Sequence, residues 1–224
     1  MIRFITGTDT GVGKTVAAAV LAHRAKQDGK LVRYVKPAQT GVKEGGKGDA
    51  DFVRAVADVE AAEILRFDEP LAPAVAAERS GVTIDFDGLT ADVLRHETNC
   101  DLLLVEGAGG LLAPLAGNRP MADLARALRA ELVVVTRPGL GTLNHTALTL
   151  EAAERRGLPV AGLVVSGWPS RPRVAERTNL ERLAAMGTLL AVIPRLRGLS
   201  VDDGKFAVLK TALEQSDFAE VPAQ

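Results

Sequence analysis

A glycine-rich stretch near the N-terminus, residues 6–15, constrains the fold more than any other part of the chain. It follows an apolar run, residues 2–5, that predicts a short buried strand, and it precedes a helical pattern over residues 16–27. A strand, a glycine-rich turn and a helix that begins after Lys-Thr form the arrangement of a phosphate-binding loop. The glycines let successive backbone N–H groups point into one concavity, and the helix N-terminus adds partial positive charge.

The end of this loop has the chemistry that a bound nucleotide requires. Lys14 supplies a full charge for the outer phosphates, and the Thr15 hydroxyl is a ligand for Mg²⁺. The strict pattern places glycine where this chain has Thr8, and Gly7 comes one residue too early. A turn that uses glycine only for tightness is the alternative, but Gly-Val-Gly-Lys-Thr between a strand and a helix favours nucleotide binding. The predicted nucleotide-binding residues here are Thr10, Gly11, Val12, Gly13, Lys14, Thr15 and Val16.

Composition places the chain among ordinary globular proteins. It has 224 residues, of which 47% are hydrophobic and 25% charged, so a single domain over residues 1–224 is expected. The net charge of −1 without a long basic block argues against a nucleic-acid-binding surface. Cys100 is the single cysteine, which excludes an internal disulfide and a cysteine metal cluster. The sequence has no signal peptide and no apolar run of membrane-spanning length, so the cytoplasm is the expected location.

Apolar strand patterns alternate with helical patterns along the chain. This alternation predicts an α/β fold with a mostly parallel central sheet and helices on both faces. In such folds ligands bind at the carboxyl ends of the strands. Residues 39–49 are polar and glycine-rich and are expected to form a mobile loop. The strands are predicted at 2–5, 31–35, 101–105, 132–136, 160–165 and 189–193, and the helices at 16–27, 51–59, 71–79, 86–96, 120–129, 143–156, 173–186 and 203–215.

Charged residues follow several of these strands, and each has two interpretations. Lys36 ends a strand, where a lysine is either a solvated strand end or a cation for a phosphoryl group. Glu106 follows the most apolar strand and is either a solvated acid or a holder of Mg²⁺. The small residues 107–110 favour the second interpretation, since they let a ligand approach the backbone. Asp51 is either a helix N-cap or a second Mg²⁺ ligand, and local sequence leaves the two open.

Later strand ends supply further candidates. The free N–H groups of the helix that begins near Thr142 can bind a carboxylate. His145 is a candidate general base, although a locally bonded histidine at a helix start is the simpler interpretation. Residues 166–169 and Pro194 can frame a nucleotide base, and Trp168 can equally belong to the core.

Four motifs in this order and spacing resemble the dethiobiotin synthetase family. They are Gly7 to Thr15, Lys36-Pro37 with Thr40-Gly41, Val105 to Gly110, and Leu140 to His145. The resemblance implies a ligase that closes a ureido ring in biotin synthesis. ATP, CO₂ and 7,8-diaminopelargonic acid (7,8-diaminononanoate) would be the substrates, and the steps would pass through a carbamate and a carbamic–phosphoric anhydride.

The resemblance also implies a role for each matching position. Lys14 and Lys36 would be the catalytic cations, and Mg²⁺ would bind Thr15, Asp51 and Glu106, of which Asp51 and Glu106 would also serve nucleotide binding. The helix start at Thr142 would bind the substrate carboxylate in the other subunit's site, so a homodimer is implied. The predicted substrate-binding residues are Thr40, Gly107, Ala108, Gly109, Gly110, Thr142, Leu143 and Asn144, and the base-side nucleotide residues are Ser166, Gly167, Pro194, Arg195 and Leu196.

Two other classes of protein share parts of this pattern. ATP-driven switches of the partition and cell-division positioning type have the same loop, but they carry lysine where this chain has Asp9. They also tend to present a basic or amphipathic partner surface, which this sequence does not show. Cobyrinate-type amidotransferases share Glu-Gly-Ala-Gly but need a glutaminase nucleophile, for which the chain offers only Cys100 at a strand entrance.

One departure from the family pattern predicts an unusual nucleotide preference. Ser166-Gly167 stands where family members often carry an asparagine that reads the adenine edge, and serine has fewer hydrogen-bonding groups. We therefore expect the enzyme to accept nucleoside triphosphates other than ATP. Turnover with ATP, CTP and GTP under identical conditions checks this, and a strong preference for ATP would contradict it.

Overall fold

The computed structural model describes residues 1–195, which contain nine strands and seven helices. In chain order these are β1 (Ile2–Gly7), α1 (Lys14–Gln27), β2 (Val32–Thr40), α2 (Asp49–Ala57), β3 (Glu60–Phe67), α3 (Pro73–Arg79), α4 (Phe86–Arg95), β4 (Leu102–Gly110), β5 (Pro114–Ala116), β6 (Arg119–Pro120), α5 (Met121–Ala127), β7 (Glu131–Thr136), α6 (Thr142–Glu154), β8 (Val160–Trp168), α7 (Val174–Met186) and β9 (Leu189–Pro194).

Seven strands form one sheet in the order β3-β2-β4-β1-β7-β8-β9. Every neighbouring pair in it is parallel, which confirms the predicted α/β class. The short strands β5 and β6 pair antiparallel as a separate hairpin. Since β2, β4 and β1 are neighbours, their carboxyl ends bring the loop after Gly7 and the strand residues Lys36 and Glu106 to one edge of the sheet.

The sheet separates two apolar layers. Along β4, Leu103 and Val105 pack into one layer, while Leu102 and Leu104 pack into the other, because successive side chains point to opposite faces. Helix α1 contributes mainly alanines to the second layer, so it lies close against the sheet. Both faces of the central strands are therefore buried, as their continuous apolar runs predicted.

Several elements differ from the sequence-based expectation. Strand β3 was not predicted, because this edge strand buries only Ala61 and Phe67 of the residues along it and reads as polar. Strand β2 runs to Thr40 and β4 to Gly110, so segments expected to be loops are extended strand ends. The helix predicted at 203–215 lies outside the described residues, as does Leu196. Within residues 1–195, no helix is both long and apolar enough to cross a membrane.

A substitution in the central strand β4 tests this packing. Leu104 is fully buried, whereas Leu31, just before β2, is 56% exposed. We expect Leu104→Ala to lower the free energy of unfolding by about 2–5 kcal/mol, because it removes buried methyl groups and leaves a cavity. Leu31→Ala should change it by less than about 0.5 kcal/mol. Urea unfolding of both variants measures the difference, and equal effects would contradict the assigned core.

Candidate active site

The phosphate loop is held in shape by glycines at positions that tolerate no side chain. Gly13 has φ 96°, and a Cβ there would lie 2.3 Å from the Ser166 Oγ. At Gly7 a Cβ would lie 2.7 Å from both the Asp9 carbonyl oxygen and the Val12 Cγ2. The glycine that appeared displaced in the motif is thus required where it stands. The contact at Gly13 also places the end of β8 directly against the loop.

An arginine without a predicted role braces the same loop. The Asp9 Oδ1 accepts a hydrogen bond from the Thr10 backbone N–H at 2.7 Å. Arg137, just after β7, donates from Nη2 to the Asp9 Oδ2 at 3.2 Å and to the Thr10 carbonyl at 3.0 Å. Asp9 and Arg137 therefore tie the loop to the segment that leads into α6. Its position after a strand was the only sequence signal for Arg137.

Four polar side chains meet at the carboxyl ends of β2 and β4. The Lys36 Nζ lies 2.7 Å from the Asp49 Oδ2 and 2.8 Å from the Glu106 Oε1. The Thr15 hydroxyl donates to the same Glu106 Oε1 at 2.9 Å. Lys36 and Glu106 are both almost fully buried. Two of the predicted functional residues, which lie 70 positions apart, are thus in direct contact.

Burial and charge oppose each other in this cluster. Burial alone would lower the pKa of Lys36, but the carboxylates of Glu106 and Asp49 outweigh it and raise that pKa above its ordinary value. Burial would raise the pKa of Asp49, but the charge of Lys36 and hydrogen bonds from Lys36 and Thr15 hold it below the usual range. Lys36 is therefore protonated, and Asp49 ionised, at neutral pH.

Lys14 lines the same cavity as the cluster. For this lysine the effect of burial on the pKa outweighs that of the neighbouring carboxylates, the opposite of Lys36. Burial lowers the pKa of Lys14 from its ordinary value, and the nearby carboxylate of Glu106 only partly compensates. Its Nζ contacts the Asp9 carbonyl oxygen at 3.3 Å. This lysine has no ion pair among those of residues 1–195, so its charge is available to an anion that enters the loop.

The second acidic residue of the cluster is Asp49, and Asp51 does not reach it. The Asp51 Oδ2 accepts a hydrogen bond from the Gly48 N–H at 2.9 Å, and its Oδ1 pairs with Arg54 at 2.7 Å. Asp51 is therefore the third residue of α2 and caps the helix by accepting from the N-cap residue Gly48, so it is not itself the N-cap that the sequence offered as one interpretation. The cluster thus contains Asp49 in place of the predicted metal and nucleotide residue Asp51, because residues two apart on a helix do not face the same point.

The start of α2 is fixed from the neighbouring strand. Gln39, buried at the end of β2, accepts the Asp49 N–H on its Oε1 at 2.8 Å. This bond satisfies a free N–H of the first helical turn, since the N-cap residue Gly48 has no side chain. A Cβ at Gly48 would lie 2.5 Å from the Glu63 Oε2, so β3 also limits this loop. Sequence reasoning missed Gln39 because it placed residues 39–49 in a loop.

Two cavities meet at the phosphate loop. The smaller one, of about 400 Å³, holds the ionic cluster. Of the predicted site residues it is lined by Thr10, Gly11, Gly13, Lys14, Thr15, Val16, Lys36, Thr40, Glu106, Ala108 and Gly109. The larger one, of about 620 Å³, lies toward β8. Its predicted lining residues are Gly11, Val12, Gly13, Thr142, Ser166, Gly167 and Arg195, and His145 also borders it.

Some predicted residues border neither cavity. The Gly107 carbonyl is 3.5 Å from the Lys36 Nζ, so this residue contacts the ionic cluster although it lines neither cavity. Pro194 ends β9 beside Trp168, which packs partly against the core. Leu143 packs against the same core, and Asn144 is exposed at the start of α6. Gly110 pairs with Gly7 in the sheet.

The donor set of the smaller cavity fits a hard divalent cation. Thr15, Asp49 and Glu106 present oxygen atoms only, and Lys36 already places a positive charge between the two carboxylates. Mg²⁺ is typically bound by one or two carboxylates together with substrate phosphates. Within residues 1–195, no three His, Cys, Asp or Glu side chains gather into a cage that could hold a metal alone. The site thus suits a cation that arrives with a nucleotide.

The fold and the loop together define a nucleotide-binding protein of the phosphate-loop class. A family model described as an AAA domain matches residues 3–202. Among solved structures, a plasmid partition protein from Borrelia burgdorferi superposes with a TM-score of 0.56 at 12% identity, covering 95% of this chain and 96% of that one. The septum site-determining protein MinD of Pyrococcus horikoshii gives 0.51 at 17% identity, covering 99% and 100%. These structures establish the shared fold.

Curated relatives identify the family within this class. The ATP-dependent dethiobiotin synthetase of Frankia casuarinae is 47% identical over 94% of this chain and 90% of its own. The Mycobacterium avium enzyme of the same name is 47% identical over 86% of each. The chain therefore belongs to the ATP-dependent dethiobiotin synthetases, which are ligases of biotin biosynthesis, as the four sequence motifs predicted.

The two neighbouring aspartates of α2 provide a matched test of the site. We expect Asp49→Asn to weaken Mg²⁺-dependent turnover by at least about tenfold, since even outer partners of a metal site cost that much. Asp51→Asn should leave turnover near that of the wild type and cost stability only through the cap, by about 1 kcal/mol. Steady-state rates over a Mg²⁺ titration distinguish them, and a larger loss for Asp51→Asn would restore the original prediction.

Proposed function

We propose that the chain, acting as one domain over residues 1–224, closes 7,8-diaminopelargonic acid and CO₂ into dethiobiotin with ATP. One amine would add to CO₂ and lose a proton, giving a carbamate. A carbamate oxygen would take the γ-phosphoryl group as ADP leaves, and the second amine would then attack the carbonyl carbon and release phosphate. The observation that carries the proposal is the contact of Lys36 with the acidic pair at the phosphate loop.

The two buried lysines can neutralise the negative charge that develops in this reaction. Lys14 is positioned for the outer phosphates, because it ends the loop and faces the cavity. Lys36 lies across the same cavity and remains protonated, so it can neutralise a carbamate or the transferred phosphoryl group. Fixed charges in a buried site stabilise such charge more strongly than water does.

Mg²⁺ would be held by Thr15, Asp49 and Glu106, and it would supply neutralisation of the triphosphate charge when bound. The Thr15 hydroxyl belongs to the helix that the loop opens, and both carboxylates lie within reach of it. Asp49 and Glu106 also contact the Lys36 Nζ, so the same carboxylates would orient the catalytic cation.

The two cavities divide the substrates. The larger cavity, with Ser166, Gly167 and Arg195, would hold the nucleoside, and Pro194 and Leu196 remain predicted neighbours of the base. The smaller cavity would hold the reacting diamine beside Thr40, Ala108 and Gly109, and Gly107 and Gly110 remain predicted parts of that wall. We place the reaction in the cytoplasm, where ATP is supplied.

Phosphate release in a mixture of protein, MgATP, bicarbonate and the diamine tests the function. We expect release that depends on the diamine, with mass spectrometry detecting dethiobiotin. Lys36→Ala should lower the rate by about 10²–10³-fold or more, as loss of one electrostatic stabiliser does. Lys26→Ala, which removes a half-exposed lysine paired with Asp58, is the control and should match the wild type. Phosphate release stimulated only by DNA, lipid or a protein partner would overturn the proposal.

The proposal includes a homodimer. Thr142 borders the larger cavity and Asn144 points outward, so the helix start is separated from the diamine cavity of its own subunit. Leu140 and Leu148 near it are 96% and 56% exposed, and these are the apolar side chains that a partner subunit would cover. We expect sedimentation to give twice the chain mass of 23.5 kDa. Leu148→Glu should shift the protein toward the monomer, and a fully active wild-type monomer would contradict the shared site.

A further inference from the structure

Tyr34 carries a buried hydroxyl that the proposed reaction does not use. It lies on β2 two residues before Lys36, so both side chains point to the same face of the sheet. The side chain is fully buried, and its ring packs in the apolar layer with α1. The hydroxyl donates to the Glu106 Oε2 at 2.8 Å. A buried phenol needs a hydrogen-bond partner, and here that partner is a carboxylate of the site.

The two oxygens of Glu106 therefore have different surroundings. Oε1 receives the Thr15 hydroxyl at 2.9 Å and the Lys36 Nζ at 2.8 Å, and both of those side chains line the smaller cavity. Oε2 receives Tyr34, which lines neither cavity. One oxygen faces the reacting groups, and the other is turned into the protein.

We propose that Tyr34 is a positioning residue that holds Glu106 so that only Oε1 is presented to the divalent cation of the bound nucleotide complex. The inference rests on the proposed function, which assigns that cation to Glu106. The terminal torsion of a glutamate is broad, so an unheld carboxylate can present either oxygen or both. Mg²⁺ demands near-octahedral geometry and is sensitive to this choice.

The variant Tyr34→Phe tests the proposal, because it removes the hydroxyl and keeps the ring that fills the core. Calorimetric titration with ADP is made with EDTA and again over a range of Mg²⁺ concentrations. We expect metal-free ADP affinity equal to that of the wild type. The Mg²⁺ concentration that gives half of the metal-dependent gain should rise about 10–100-fold, the usual effect of losing an outer partner of a metal ligand.

Two control variants separate the possible failures. Thr90→Val removes a hydroxyl that donates to the Phe86 carbonyl within α4 and lines neither cavity, and it should behave as the wild type. Glu106→Gln should abolish the metal-dependent gain, and if it does not, the proposed metal site itself is wrong. If Glu106→Gln loses the gain while Tyr34→Phe keeps it, the role of Tyr34 is overturned and the proposed function stands. Equal losses with and without Mg²⁺ in Tyr34→Phe would also overturn it, as a purely structural effect.

A measurement on the wild-type protein decides the case even if Tyr34→Phe fails to fold. The infrared difference spectrum between the Mg²⁺-loaded and metal-free ADP complexes reports the carboxylate bands, and Glu106→Gln assigns them. Binding through Oε1 alone gives widely separated antisymmetric and symmetric bands. Closely spaced bands, which indicate that both oxygens bind the cation, would overturn the proposal.

Discussion

The structure depends on one buried charge, the ammonium group of Lys36 between Asp49 and Glu106. An unpaired ion in this position would cost several kcal/mol, so the lysine and its carboxylates are retained only together. Each member comes from a different element: β2, the start of α2 and the end of β4. The ion cluster therefore depends on the strand order of the sheet, because its three elements meet only when β2 and β4 are neighbours.

Sequence patterns predicted the central strands because these are apolar on both faces, as Leu103 and Leu104 show. They missed β3 because an edge strand with one solvent-facing side carries residues such as Glu60 and Arg66 that are typical of loops. They also ended β2 and β4 too early. The strand ends that border a ligand cavity are polar or glycine-rich. Their composition therefore indicates a binding site and does not reveal that the backbone there is extended.

The identity of the acidic residue in α2 shows a limit of motif reasoning. The sequence pattern pointed only to Asp51, since it placed Asp49 in a predicted loop and began the helix at residue 51, whereas both aspartates stand in the first turn of α2. The choice depends on the rotation of that turn, which is set by a hydrogen bond from its backbone to Gln39 and by the close approach of Gly48 to Glu63. Both contacts involve strand segments that no local pattern reveals. In contrast, Lys14, Thr15, Lys36 and Glu106 lie together as the sequence grouped them, because each lies at or just beyond the carboxyl end of a neighbouring strand of one parallel sheet.

The contact between Gly13 and Ser166 joins two tasks that are usually considered separately. Ser166 lies where the base of the nucleotide is expected, and its hydroxyl occupies the space that a side chain at position 13 would need. A side chain at position 13 would therefore collide with Ser166, so glycine is required there. The residue expected to lie at the base and the loop expected to bind the phosphates therefore adjoin each other at Gly13.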